Sequence, residues 1–111
     1  MDNNQNTKSL SEGNRSILSL DELRLQIDEI DNRLITDLAQ RFAVVEEVAK
    51  LKKQQNLPAL DASRWKVVLD SKIKLGTEQG LDANFVRNVY ELIHEQALKN
   101  EEKIMEDKKW N

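Results

Sequence analysis

LRLQIDEIDNRLITDLAQRFAVVEEVAKLKK, residues 23 to 53, contains neither glycine nor proline. Leu20, Leu23, Ile27, Ile30, Leu34, Leu38, Val44, Val45, Val48 and Leu51 recur through this region at helical spacing. Just upstream, Ser19 to Glu22 (SLDE) has the form of a capping box, in which serine and glutamate satisfy each other's backbone amides. The first interruption downstream is Pro58. The pattern predicts one helix of roughly 33 to 36 residues, about 50 Å long. The rest of a 111-residue chain cannot cover such a rod. A second copy of the same chain can, in a coiled or intertwined dimer.

Outward from the rod, the loop QQNLPAL leads to Asp61, a candidate N-cap for a second helix over about 62–75. Trp65, Val68, Leu69 and Ile73 form its apolar face. Gly76 and Gly80 bracket an expected turn, GTEQG, and Asp82 can cap a third helix over about 83–106. Val86, Val89, Tyr90, Ile93, Ala97 and Ile104 form its stripe, widened by Phe85 and Leu92. The polar residues 1–17 are expected to be a disordered leader, and 107–111 a frayed tail, around one helical domain at 18–106. The expected class is all-α: one long and two shorter helices forming an intertwined homodimer.

Composition narrows the function. Charged residues make up 33% of the chain but the net charge is only -3, which points to neither nucleic acid nor a membrane surface. There is no cysteine, so disulfides, thiolate ligands and a cysteine nucleophile are excluded, and a reducing compartment fits. A single histidine makes a Ser-His-Asp triad or a multi-histidine metal site improbable. The opening residues have no apolar core of the kind a signal peptide needs, so the cytoplasm is the expected location.

Certain charges fall where apolar residues belong. Leu20, Ile27, Leu34 and Val48 share one heptad position, and Arg41 completes that row. Lys52 lies eleven residues beyond Arg41, at nearly the same angle and about 16 Å along the axis. Long side chains from those positions could converge on a small anion, because a buried charge needs a partner. The ordinary alternative is snorkelling, with both stems on the core and both heads in water. Arg24 flanks the stripe and is ordinary surface by itself. Asp61 and Arg64 form an i, i+3 pair at a helix start, where capping and a local ion pair suffice. Glu101 follows Ile93 and Ala97 at four-residue steps and precedes Ile104, so its carboxyl faces the side that should be buried. Burial favours the protonated form, which can donate a hydrogen bond. His94 reads as a polar residue beside the stripe.

In order, these segments resemble the all-helical chorismate mutases, over about residues 18 to 104. The carriers are LRLQIDEIDNRLITDLAQR (23–41), VAKLKK (48–53), LPALDASR (57–64) and GLDANFVRNVYELIHEQALKNE (80–101). The resemblance implies that Arg24 is lent across the dimer to the partner's active site, and that Arg41 holds a substrate carboxylate. Lys52 matches the lysine reaching a carboxylate and the ether oxygen of the breaking bond. Asp61 matches the acidic residue near the ring hydroxyl, with Arg64 behind it. Three positions depart from the common bacterial pattern. Ala97 stands where serine is frequent, Glu101 where glutamine donates to the ether oxygen, and Trp65 where glutamate is frequent.

The implied reaction is the Claisen rearrangement of chorismate to prephenate, feeding phenylalanine and tyrosine synthesis. Such a step needs no nucleophile, metal or cofactor. It needs a substrate held in a compact chair and donors at the ether oxygen, where negative charge develops. Two rivals remain at this point. One is another activity on the same fold, an isochorismate-pyruvate lyase or a mutase of a chorismate analogue. The other is a non-catalytic helical dimerisation or regulatory module.

Overall fold

A computed structural model describes residues 18–106, which form α1 (Leu20–Gln55), α2 (Ala62–Glu78) and α3 (Ala83–Glu106). The expected leader at 1–17 and tail at 107–111 lie outside the described residues. Among those described there is no strand, so the all-α class holds. No helix among them is long and apolar enough to cross a membrane. The chain divides into two units, one up to Leu38 and one from Ala39, with the division inside α1.

In the first unit the capping box forms as its sequence requires. The Ser19 amide donates to Glu22 Oε1 at 2.8 Å, and the Glu22 amide donates to Ser19 Oγ at 3.1 Å. Asp21 and Glu22 also place negative charge on the positive end of the helix dipole. Every residue from Leu20 to Asp37 is exposed. Leu34 keeps 56% of its surface in water and Leu20 keeps 61%, so the apolar stripe is formed but uncovered.

The second unit is built around turns that reverse the chain tightly. At the end of α1, Asn56 adopts a left-handed backbone (φ 58°). The Leu57 amide donates to the Lys52 carbonyl at 2.9 Å, and that of Asn56 to the Lys53 carbonyl at 3.4 Å. This is a Schellman ending, and Pro58 follows where the helix can no longer continue. Asp61 then caps α2, accepting from the Arg64 amide, and Asp82 caps α3, accepting from the Phe85 amide at 2.9 Å.

The end of α2 departs from expectation. The helix runs through Gly76 and Thr77 to Glu78, so the turn is not GTEQG. The Schellman ending is at Gly80 (φ 87°), whose amide donates to the Thr77 carbonyl while that of Leu81 donates to the Gly76 carbonyl. Gly76 is a packing residue: a Cβ there would lie 2.6 Å from Val86 Cγ2. Its bare backbone lets α2 and α3 approach closely, which outweighs the glycine penalty inside a helix.

Buried apolar residues are few and mostly small: Ala49, Leu69, Val86 and Ala97. The expected faces of α2 and α3 do turn inward, with Trp65, Val68, Ile73, Val89, Tyr90, Ile93 and Ile104 half-buried. Phe85 and Leu92 do not widen the buried stripe. They are 57% and 67% exposed, because their angles carry them beyond the packed face. Gly76→Ala is expected to lower the unfolding free energy by about 1 kcal/mol, as overpacking outweighs improved helix propensity. Urea denaturation of Gly76→Ala alone and with Val86→Ala checks this, since the penalty should shrink once Val86 is truncated.

Candidate active site

Three helices of the second unit contribute side chains to one partly enclosed cluster. Arg41 and Lys52 come from α1, Trp65 from α2, and His94, Ala97 and Glu101 from α3. The last three recur at steps of three and four residues, one face of a helix.

Lys52 is the centre of the cluster. Its Nζ donates to Glu101 Oε1 at 2.8 Å and to the Ala59 carbonyl at 2.6 Å. The side chains of the pair are only 18% and 11% exposed. The Schellman turn after α1 makes this possible, because it folds the 57–60 loop back over the lysine of the last turn. Snorkelling is therefore not what Lys52 does. Nor does it hold for Arg41, whose Nη1 is buried and has no hydrogen-bond partner among the described residues. A buried guanidinium donor without an acceptor is costly, so the position suits an anionic ligand.

Glu101 is buried, as its spacing suggests, but it does not stand apart from Lys52. The sequence reading has the two groups bracketing a ligand atom; in the structure they bond to each other. Their opposite charges offset much of the desolvation each would suffer alone. The cluster can thus hold negative charge in two ways, on Glu101 itself or on a ligand that takes Lys52 from it.

The remaining expected site residues fall at the edge. Asp61 is exposed, and its Oδ1 accepts from the Arg64 amide at 3.0 Å and from Ser63 Oγ at 2.9 Å. Those bonds, the Arg64 amide first, hold its carboxyl below the ordinary range, and the charge of Lys52 adds to the effect. The expected cap forms through this bond to the Arg64 backbone, and no Asp61–Arg64 ion pair accompanies it among the described residues. Ala97 is buried and adds no polar atom. Arg24 lies exposed in the first unit.

His94 was not singled out by its sequence context, yet it belongs to the cluster. Its ring stacks on Trp65 with centroids 3.9 Å apart and planes 9° from parallel. Burial pushes the imidazole below its ordinary value; Glu101 opposes that, and Arg41 and Lys52 add to it. The signal available in the sequence was its three- and seven-residue spacing to Ala97 and Glu101.

A family model for type II chorismate mutases matches residues 23–102. The chain belongs to the type II chorismate mutase family. The match spans every side chain of the cluster, from Arg41 to Glu101. A chorismate mutase of Methanocaldococcus jannaschii is 33% identical over 87 residues, which are 77% of this chain and 88% of that one. A bifunctional chorismate mutase/prephenate dehydratase of Escherichia coli K12 is 30% identical over 84 residues, 76% of this chain and 22% of that protein. The chain thus spans about a fifth of that longer relative. A 4-amino-4-deoxychorismate mutase of Streptomyces venezuelae is 26% identical over 86 residues, 78% of this chain and 84% of that one. The all-helical chorismate mutase resemblance read from the sequence is upheld, and with it an isomerase.

The Lys52–Glu101 pair is open to a direct test of stability. Lys52→Met leaves a buried carboxylate without its partner, a loss expected to be about 3 kcal/mol at neutral pH. The loss should shrink as pH falls, because protonation removes the unpaired charge. Lys52→Met/Glu101→Gln should recover most of it. Urea titrations at several pH values measure all three.

Proposed function

We propose that the protein converts chorismate to prephenate in a homodimer, with Arg41, Lys52 and Glu101 of one chain and Arg24 of the other acting on each substrate. The observation that carries this reading is the buried cluster itself. A guanidinium whose buried Nη1 has no partner among the described residues and an ammonium tethered to a carboxyl group form a compact polar site in a chain of this family. Arg41 and Arg24 clamp the two substrate carboxylates with forked donors. Lys52 leaves Glu101 for a carboxylate and the ether oxygen, and Glu101 takes a proton and donates to that same oxygen. Charge developing there in the transition state is met by donors already in place. Asp61 and Arg64 attend the ring hydroxyl, and Trp65 and Ala97 shape the pocket's wall. No bond in this scheme needs a metal or cofactor.

The dimer is supported by the bare stripe of α1, whose leucines and isoleucines are exposed in the single chain. Burying them against a second copy recovers roughly 25 cal/mol for each Å² of apolar surface. A cytoplasmic setting belongs to the same reading, since a cysteine-free chain loses nothing in a reducing compartment. The 26% identical relative named for an amino analogue makes substrate choice worth measuring directly. The assay offers chorismate, isochorismate and 4-amino-4-deoxychorismate side by side, and the decay of chorismate absorbance with formation of prephenate is the expected outcome. Release of pyruvate from isochorismate, or turnover of the amino compound alone, would replace the mutase assignment.

Two further outcomes test the roles. Glu101→Gln keeps a donor at the ether oxygen and should retain turnover, whereas Glu101→Leu should lose on the order of 10²-fold or more in kcat/KM. Arg24→Ala and Lys52→Ala should each lose on the order of 10²-fold or more in kcat/KM. Mixing and reannealing the two inactive variants should restore up to about a quarter of wild-type activity, because each heterodimer regains one intact site. Recovery would not occur if Arg24 served its own chain.

A further inference from the structure

We propose that His94, held flat against Trp65 among Arg41, Lys52 and Glu101, is a further substrate-binding residue whose charge tunes the cluster's grip on a dicarboxylate. This rests on the mutase reading and assigns it one more ionisable group. The geometry leaves little freedom: a parallel stack at 3.9 Å fixes the imidazole plane, and the α3 spacing puts it on the same face as Glu101. Three elements contribute the groups that act on it. From α1 come Arg41 and Lys52, both cationic; from α3 comes Glu101; from α2 comes the uncharged face of Trp65.

In the free site those surroundings favour the neutral ring. Burial disfavours the imidazolium most, and the two α1 cations repel it, against the opposing pull of Glu101. A bound dicarboxylate reverses the balance: its two negative charges outnumber the single one that Glu101 gives up on taking a proton, and they screen Arg41 and Lys52 from the ring. Protonation of His94 then costs less in the complex than in the free enzyme. Linkage makes this reciprocal: the enzyme with protonated His94 binds the dianion more tightly. Trp65 suits either state, stacking on the neutral ring and offering its π face to the cation. The sign is therefore set. KM for chorismate should fall as pH is lowered through the His94 titration.

His94 is the single histidine of the chain, so its ring resonances in an NMR titration report on it alone. The full chain is titrated with and without prephenate, and KM and kcat for chorismate are measured from about pH 8 to about pH 5.5. The expected result is a titration midpoint that moves up with prephenate, and a KM that tightens by about threefold or more toward acid. His94→Phe keeps a ring against Trp65 but cannot titrate, and should lose the step in KM; His94→Gln serves as a second, smaller replacement. A wild-type enzyme that turns over chorismate with an unmoved midpoint overturns the proposal. So does a His94→Phe enzyme that retains the wild-type pH dependence of KM. If the wild type neither turns over chorismate nor binds prephenate, the mutase reading fails first and this role with it.

Discussion

The Lys52–Glu101 pair is the interaction on which the second unit's site depends. It joins the last turn of α1 to α3 across 2.8 Å, in surroundings from which water is largely excluded. Neither charge would be tolerated there alone, so each residue's position is justified only by the other. The second bond of Lys52, to the Ala59 carbonyl, adds the 57–60 loop to the same junction. One ammonium therefore ties together two helices and a loop. A ligand that claims this lysine must offer at least as much negative charge as it displaces, which makes the structural tie and the proposed chemistry two uses of one group.

Around this polar junction the apolar packing is thin. Among the described residues the buried hydrophobic side chains are two alanines, a leucine and a valine, with Gly76 admitting Val86 where a Cβ would collide. Small side chains bring helices close at the expense of buried apolar area. A continuous uncovered reserve of such area is the stripe of α1 up to Leu38. A protein of this family with so small an internal core has its main hydrophobic gain still available to association, which is the physical ground for reading the functional unit as more than one chain.

Family membership and residue chemistry constrain the reaction differently. The family model and the relatives place the chain among chorismate mutases, whereas the character of the cluster comes from its own side chains. Ala97 contributes no hydroxyl, Glu101 accepts from Lys52, and Trp65 with His94 forms an aromatic wall. The glutamate at position 101 gains a bond to Lys52 at 2.8 Å that a neutral amide would make more weakly.

Local chemistry made most of the fold legible. Helical spacing without glycine or proline determined α1, and Ser19, Asp61 and Asp82 marked the three helix starts, because capping acts between residues three apart. Arg41, Lys52 and Glu101 could be named because a charge on an apolar face is anomalous in sequence alone. Gly76 could not be read correctly, since its role is set by Val86, ten residues away across a helix contact that spacing does not reveal. His94 read only as a polar residue beside the stripe for the same reason: its meaning comes from Trp65, on another helix. The sequence by itself determined which residues are helical and which charges needed an explanation. Tertiary structure alone decided that Lys52 meets Glu101, that Gly76 is a packing surface, and that His94 lies flat on Trp65, because those contacts join segments the local periodicity treats as independent.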